Sequence, residues 1–100
     1  MQYTEEELSV IITEMLRQVL RVKIETIIPE ARIFSDLGAE SLDILDIRFR
    51  LEKILGISIA DSEIIDYLGT GLSVEEIDNA FTVKSMMDYT TNKINLQSAV

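Results

Sequence analysis

Leu8, Ile11, Ile12, Met15, Leu16, Val19 and Leu20 recur at spacings of three and four residues, with Glu14, Arg17, Gln18 and Arg21 between them. That period predicts an amphipathic helix with one apolar face. Thr4 followed by Glu7 makes a capping-box start, and Glu5, Glu6 and Glu7 stand where a helix dipole favours negative charge. The helix is expected to end between Arg21 and Lys23. From Lys23 to Ser35 the period is lost, and Pro29 disfavours helix in the residue before it. This stretch reads as a long loop, with Ile27, Ile28, Ile33 and Phe34 as its apolar anchors.

The helical period returns at Ser41 and lasts to Leu55, between a turn at Gly38 and a stop at Gly56. Two apolar stripes run along this second helix. Ile44, Ile47, Leu51 and Ile54 or Leu55 supply a core face. Leu42, Leu45 and Phe49, flanked by Asp43, Asp46 and Glu52, form the second stripe. It is covered either by the loop or third helix, or by a docking partner. After the extended Ile57-Ser58-Ile59, Asp61 or Ser62 is expected to cap a short helix with Ile64, Ile65 and Leu68 inward. Gly69-Thr70-Gly71 breaks the chain, and Ser73 with Glu76 opens another short helix, with Val74, Ile77 and Phe81 inward. The last helix begins at Thr82-Val83 and turns Val83, Met86, Met87, Thr90 and Ile94 inward, leaving Leu96 to Val100 as a frayed tail. The pattern is all-α throughout.

Composition narrows the chemistry. One hundred residues, 47% of them hydrophobic, suit a single domain, and three tyrosines with three phenylalanines leave its core mostly aliphatic. The absence of cysteine and histidine excludes disulfides, thiol catalysis, the usual zinc sites and a Ser-His-Asp hydrolase. Asp61, Glu63 and Asp66 lack the ligand alternation and central glycine of a calcium loop, so no metal is expected. A net charge of −9 disfavours nucleic acid and favours partners with basic surfaces. Six acids and no base lie between Asp61 and Asp78, a pattern that mostly marks a solvated face. The acidic start lacks the marks of a signal peptide and no stretch reaches a membrane span, so a cytoplasmic monomer is expected.

Ser41 stands at the start of the second helix. Free N–H groups and the helix dipole there favour an oxygen nucleophile or an anion esterified to it, although a serine can also merely cap. With no histidine as base, and with only the weakly basic carboxylates of Glu40 and Asp43 near in sequence, Ser41 reads as the substrate of another enzyme rather than as a catalyst.

Leu37-Gly38-Ala39-Glu40-Ser41-Leu42-Asp43, followed by Leu45-Asp46-Ile47, Leu51-Glu52 and Gly56-Ile57-Ser58-Ile59, resembles the acyl carrier protein family around its (D/E)-S-L phosphopantetheine attachment motif. The resemblance is strong from Phe34 to Ile59 and fainter on both flanks. It implies a four-helix bundle of acyl-carrier type, here with an extended third helical element. The carrier domain would span residues 1–95, with 96–100 as a short C-terminal tail, and Phe34 and Leu37 would plug the core. By the same resemblance, a phosphopantetheinyl transferase attaches 4′-phosphopantetheine to Ser41, and the terminal thiol of the arm carries acyl groups as thioesters. Glu40, Leu42, Asp43, Leu45, Asp46, Phe49 and Glu52 would dock acyl-transferring or acyl-modifying enzymes through their basic surfaces.

The sequence departs from the family at Arg48, Arg50 and Lys53, on a helix that is typically more acidic, and at Glu40 in place of the more usual aspartate. The bases either filter partners or form helical pairs such as Asp46 with Arg50. The alternatives are an aminoacyl or peptidyl carrier and an unmodified helical interaction module. Gly38-Ala39-Glu40-Ser41 fits the acyl type better than the Gly-Gly-(His/Asp)-Ser usual in peptidyl carriers. Fatty acid synthesis, polyketide assembly and specialised acyl transfer to lipid all remain open as pathways.

Overall fold

The computed structural model describes residues 3–98, and of 97 and 98 the backbone alone. These residues form α1 (Glu5–Leu20), a 3₁₀ turn (Ile24–Thr26), α2 (Ser41–Leu55), α3 (Glu63–Leu68), α4 (Val74–Ala80) and α5 (Val83–Ser98). The chain is thus a helical bundle whose third element is doubled into α3 and α4. Helix α1 starts as the capping box requires, the Thr4 hydroxyl accepting the Glu7 N–H at 3.1 Å and the Glu7 carboxylate accepting the Thr4 N–H at 2.9 Å. Helix α2 ends at Gly56, whose φ of 65° only glycine adopts without strain. Helix α5 continues through Ser98, so the segment expected to fray from Leu96 is helical as far as it is described.

Helix α1 packs on α2 and α5, and α3 packs on α5 and α4. The core between them is aliphatic, as composition requires. Leu8, Ile12 and Leu16 of α1 meet Ile47, Leu51 and Leu55 of α2 and Met86 and Ile94 of α5 in one buried cluster. Ile54 is exposed, which settles the choice at the end of the α2 stripe in favour of Leu55. Val74 was expected inward but is 86% exposed, because it opens a helix of only two turns whose face is set by Ile77 and Phe81. Ile28 is likewise exposed, and Tyr89, not foreseen as core, is buried.

The long first loop is not loosely draped. Ile33 N–H donates to Phe81 O at 2.9 Å and Val83 N–H to Ala31 O at 3.0 Å, around an isolated antiparallel bridge between Arg32 and Thr82. Lys84 N–H reaches Pro29 O at 3.0 Å. Polar side chains reinforce the seam. Asp36 accepts both the N–H and the Nε–H of Arg32, and Asp78 accepts the N–H and hydroxyl of Ser35. Phe34 is half-buried and packs its ring on Phe81 with centroids 5.5 Å apart, while Leu37 is fully inside.

A second polar seam ties α3 to α5. Glu63 accepts the Tyr89 hydroxyl and the Lys93 ammonium, the latter at 2.7 Å, and also the Ala60 N–H at 3.1 Å. Helix α3 therefore starts without the Asp61 or Ser62 side-chain cap expected from sequence. Burial pushes the Glu63 carboxyl up, but the hydrogen bonds from Lys93, Tyr89 and Ala60 and the Lys93 charge together hold it below the ordinary glutamate range. Burial first, then the Glu63 hydrogen bond and charge, push the Tyr89 phenol up.

A depressed carboxyl stabilises the fold fully above its unfolded pKa of about 4.3, and that stability is lost as pH falls through the lower folded value. Glu63→Gln is expected to cost about 1–3 kcal/mol near neutrality. The gap between parent and variant should close in acid, as read by urea denaturation at a series of pH values. A gap that stays constant below pH of about 4 would mean that Glu63 acts through packing alone.

Candidate functional site

Ser41 is the first residue inside α2, and Glu40 is the N-cap, in an extended conformation at φ −113° and ψ 171°. The Asp43 carboxylate accepts the Glu40 N–H at 2.8 Å, and Asp43 N–H donates to Glu40 O at 2.9 Å. The helix start is thus closed by its neighbours, and the Ser41 hydroxyl is exposed with no hydrogen-bond partner among the described residues. What aims it outward is the turn before it. Gly38, at φ 74°, donates its N–H to Phe34 O at 2.9 Å, and Ala39 donates to Ile33 O at 3.1 Å. Leu37 and Ala39 point into the core while Glu40 and Ser41 face solvent.

Beside Ser41, a cleft of about 190 Å³ opens between α2 and the start of α3. Ser41, Ile44, Leu45 and Arg48 form one wall, at i, i+3, i+4 and i+7 along a single face of α2. Ala60, Ile64 and Ile65 lie opposite, with Asp61 and Glu63 at the polar margin. Arg48 and Asp61 form an ion pair across it. Sequence reasoning counted Arg48 among the bases of α2 that either filter partners or form helical pairs, and missed the cleft, although its seven-residue spacing from Ser41 was the available signal.

The second stripe of α2 is uncovered. Leu42 is 77%, Leu45 42% and Phe49 52% exposed, so neither the loop nor α3 buries it. The flanking acids are less uniform. Asp46 pairs with Arg50 at 2.9 Å, as the i,i+4 reading anticipated, and Arg50 also reaches Gln18 at 3.4 Å. Asp43 is engaged at the helix start, and Glu52 is half-buried with its carboxylate accepting the Ile59 N–H at 2.9 Å. Glu52 thus anchors the turn into α3 rather than standing free beside Phe49. The run of acids from Asp61 to Asp78 is likewise mostly engaged, through Arg48, Glu63's partners, the Ser73 cap and Ser35.

No group of three His, Cys, Asp or Glu side chains that could hold a metal occurs among the described residues. No described helix is long and apolar enough to cross a membrane. What remains is an unhindered hydroxyl at a helix N-terminus, a setting whose free N–H groups suit an esterified phosphate.

Residues 10–70 match the family described as Phosphopantetheine attachment site, and the chain belongs to that family. It is similar to the Acyl carrier protein of Buchnera aphidicola subsp. Schizaphis graminum (strain Sg), with 29% identity over 82 residues, 82% of this chain and 87% of the relative. It is also similar to the Acyl carrier protein of Syntrophobacter fumaroxidans (strain DSM 10017 / MPOB), with 32% identity over 78 residues, 78% of this chain and 80% of the relative. The chain is accordingly an acyl-carrier-type protein with a covalent 4′-phosphopantetheine arm, and not an enzyme.

Since Glu40 and Asp43 close the helix start without the Ser41 hydroxyl, Ser41→Ala is expected to leave the unfolding free energy within about 0.5 kcal/mol of the parent. A loss near 1 kcal/mol in urea denaturation would restore Ser41 to the role of a cap.

Proposed function

We propose that Ser41 is the attachment residue, and that the chain presents acyl groups, held as thioesters, to successive partner enzymes. The observation that carries this reading is the exposed, unpartnered Ser41 hydroxyl inside the stretch matched by the family. The arm, once bound, supplies a terminal thiol, the group that a cysteine-free chain lacks. The chain's own residues do the rest. Gly38 turns the backbone, Leu37 and Ala39 anchor it, and Ser41 is thereby held away from the core. The N–H groups and dipole of the first turn of α2 favour the negative charge of a phosphodiester. Among carriers, the acyl type is supported by Gly38-Ala39-Glu40-Ser41. The assigned carrier domain is residues 1–95.

Docking is assigned to Leu42, Leu45 and Phe49, with Glu40, Asp43 and Asp46 around them; Glu52, grouped with them in the sequence, is taken up by the Ile59 N–H. The exposed apolar stripe gives a partner something to cover, and the net charge of −9 favours encounter with basic surfaces. Steering of this kind raises association rates without demanding a tight interface, which suits a carrier that must leave each enzyme. The cleft beside Ser41 offers shelter to a short piece of the tethered chain.

Intact mass after incubation with coenzyme A and a broad-specificity phosphopantetheinyl transferase tests the attachment. The parent should gain one phosphopantetheine and Ser41→Ala none. No gain in a folded parent, with the transferase active on a control carrier, would favour the unmodified interaction module. Leu45→Ala and Phe49→Ala test the docking stripe. Each is expected to raise the transferase KM for the carrier about tenfold, the effect of losing one well-packed interface anchor, with stability nearly unchanged. An unchanged KM for both would move the interface off this stripe.

A further inference from the structure

The three bases of α2 are not alike. Arg50 pairs with Asp46 at 2.9 Å and Arg48 with Asp61, so both of those charges are balanced within the fold. Lys53 is exposed and has no ion pair among the described residues. Its own helix and turn offer it none, since the positions three and four residues away are Phe49, Arg50, Gly56 and Ile57. A cation in the last turn does suit the helix dipole, which is the plain structural use of Lys53. Its place on the helix points to a second use. Leu42, Asp46, Phe49 and Lys53 follow one another at spacings of four, three and four, along one line of α2. Lys53 therefore closes the far end of the stripe that Leu42 and Phe49 leave uncovered.

Charge changes sign along this line. Glu40 and Asp43 stand at the Ser41 end, and neither is paired with a cation among the described residues. Asp46 and Arg50 cancel midway, and Lys53 ends the line with an unbalanced positive charge. From Asp43 to Lys53 is about 15 Å along the helix axis. The Debye length at physiological ionic strength is about 8 Å, so a facing surface meets two separate charges rather than their average. A groove that is basic along its whole length is drawn to the first and repelled by the second. A groove that turns acidic where it faces Lys53 gains at both ends. The net charge of −9 brings basic partners to the molecule, but does not decide which part of them sits over Lys53.

We propose that Lys53 selects the partner. Helix α2 is a bipolar docking face, fitted to an enzyme surface with a lysine or arginine opposite Glu40 and Asp43, an apolar centre over Leu42, Leu45 and Phe49, and a carboxylate opposite Lys53. The inference rests on the docking reading of that stripe and adds the sign of the charge at its far end. An enzyme with a uniformly basic groove still uses this chain, but less well than one that carries the carboxylate. Arg48 and Arg50 take no part in the choice, because their own carboxylates already hold them.

The probe is a broad-specificity phosphopantetheinyl transferase with an all-basic docking groove, acting on the full chain, with kcat/KM read from intact mass. Lys53→Gln is expected to raise kcat/KM about twofold and Lys53→Glu about fivefold, the scale of one exposed charge pair. Both gains should vanish in 1 M salt, where the Debye length is about 3 Å. Lys84→Glu makes the same change of charge on α5, where Lys84 is exposed, and is expected to alter little. An equal gain there would assign the effect to net charge and overturn the inference. Transferase variants with one groove base at a time changed to Glu then supply the carboxylate. At least one should prefer the parent to Lys53→Glu, the reverse of the order given by the unaltered enzyme; a panel without any reversal refutes the assigned carboxylate. Equal kcat/KM for the parent and both Lys53 variants, with Leu45→Ala and Phe49→Ala impaired, refutes the role of Lys53 and leaves the docking stripe standing. If those two alanine variants are unimpaired as well, the docking reading falls first and this inference with it. A parent that gains no arm mass overturns the attachment reading, and both with it.

Discussion

The placement of Ser41 depends on a short backbone seam far from it in sequence. Residues 21–40 join α1 to α2, and their course is set where Ala31 and Ile33 pair with Val83 and Phe81 at the junction of α4 and α5. A loop of that length costs closure entropy and backbone entropy to order. Here the cost is offset by paired backbone groups, by burial of Ile33, Leu37 and Ala39, and by the carboxylates of Asp36 and Asp78. The far end of the chain therefore holds the approach to the site. Residues that belong to no helix of the site, Phe81 above all, govern where the hydroxyl points.

The seam also explains the limits of the sequence reading. Helices α1 and α2 were legible because their caps and periods agree: Thr4 with Glu7 at one start, Gly56 at one end, and a fifteen-residue run whose bounds the structure repeats. Within the loop, burial alternates at Ala31, Arg32 and Ile33 like a strand, but over too few residues to register as a period. Val74 failed for a related reason. In a two-turn helix an apolar residue can fall on either side, and tertiary packing decides. Tyr89 was overlooked because its ring is core and its hydroxyl is satisfied by Glu63, a partner twenty-six residues away that no local pattern reveals. At the site, the position of Ser41 at the start of α2 was legible from the turn and period around it, while the position of Arg48 in a cleft depended on where α3 lay.

Charge, too, means something different in the fold than in the sequence. A formal −9 invites the picture of an acidic surface awaiting partners. Much of that acid is internal fastening instead. Glu52 accepts a backbone N–H of the segment leading to α3, Asp78 holds Ser35, Asp36 holds Arg32, and Glu63 joins α3 to α5. Carboxylates that take up otherwise unmet N–H groups add structure where an aliphatic core has few directional contacts. The same side chains cannot be moved freely to tune a surface without loosening a junction.

Helices α3 and α4 have six and seven residues, well below the length at which an isolated helix is stable in water. They exist because Glu63, Phe81 and Asp78 fasten them to α5 and the first loop. Since α3 also forms one wall of the cleft beside Ser41, that wall is held by a helix too short to stand alone, while α1, α2 and α5 share the larger core. The capacity of the cleft is therefore a thermodynamic quantity rather than a fixed volume. Anything that widens the cleft has only to work against the opening of two short helices, and the framework that carries Ser41 is left standing.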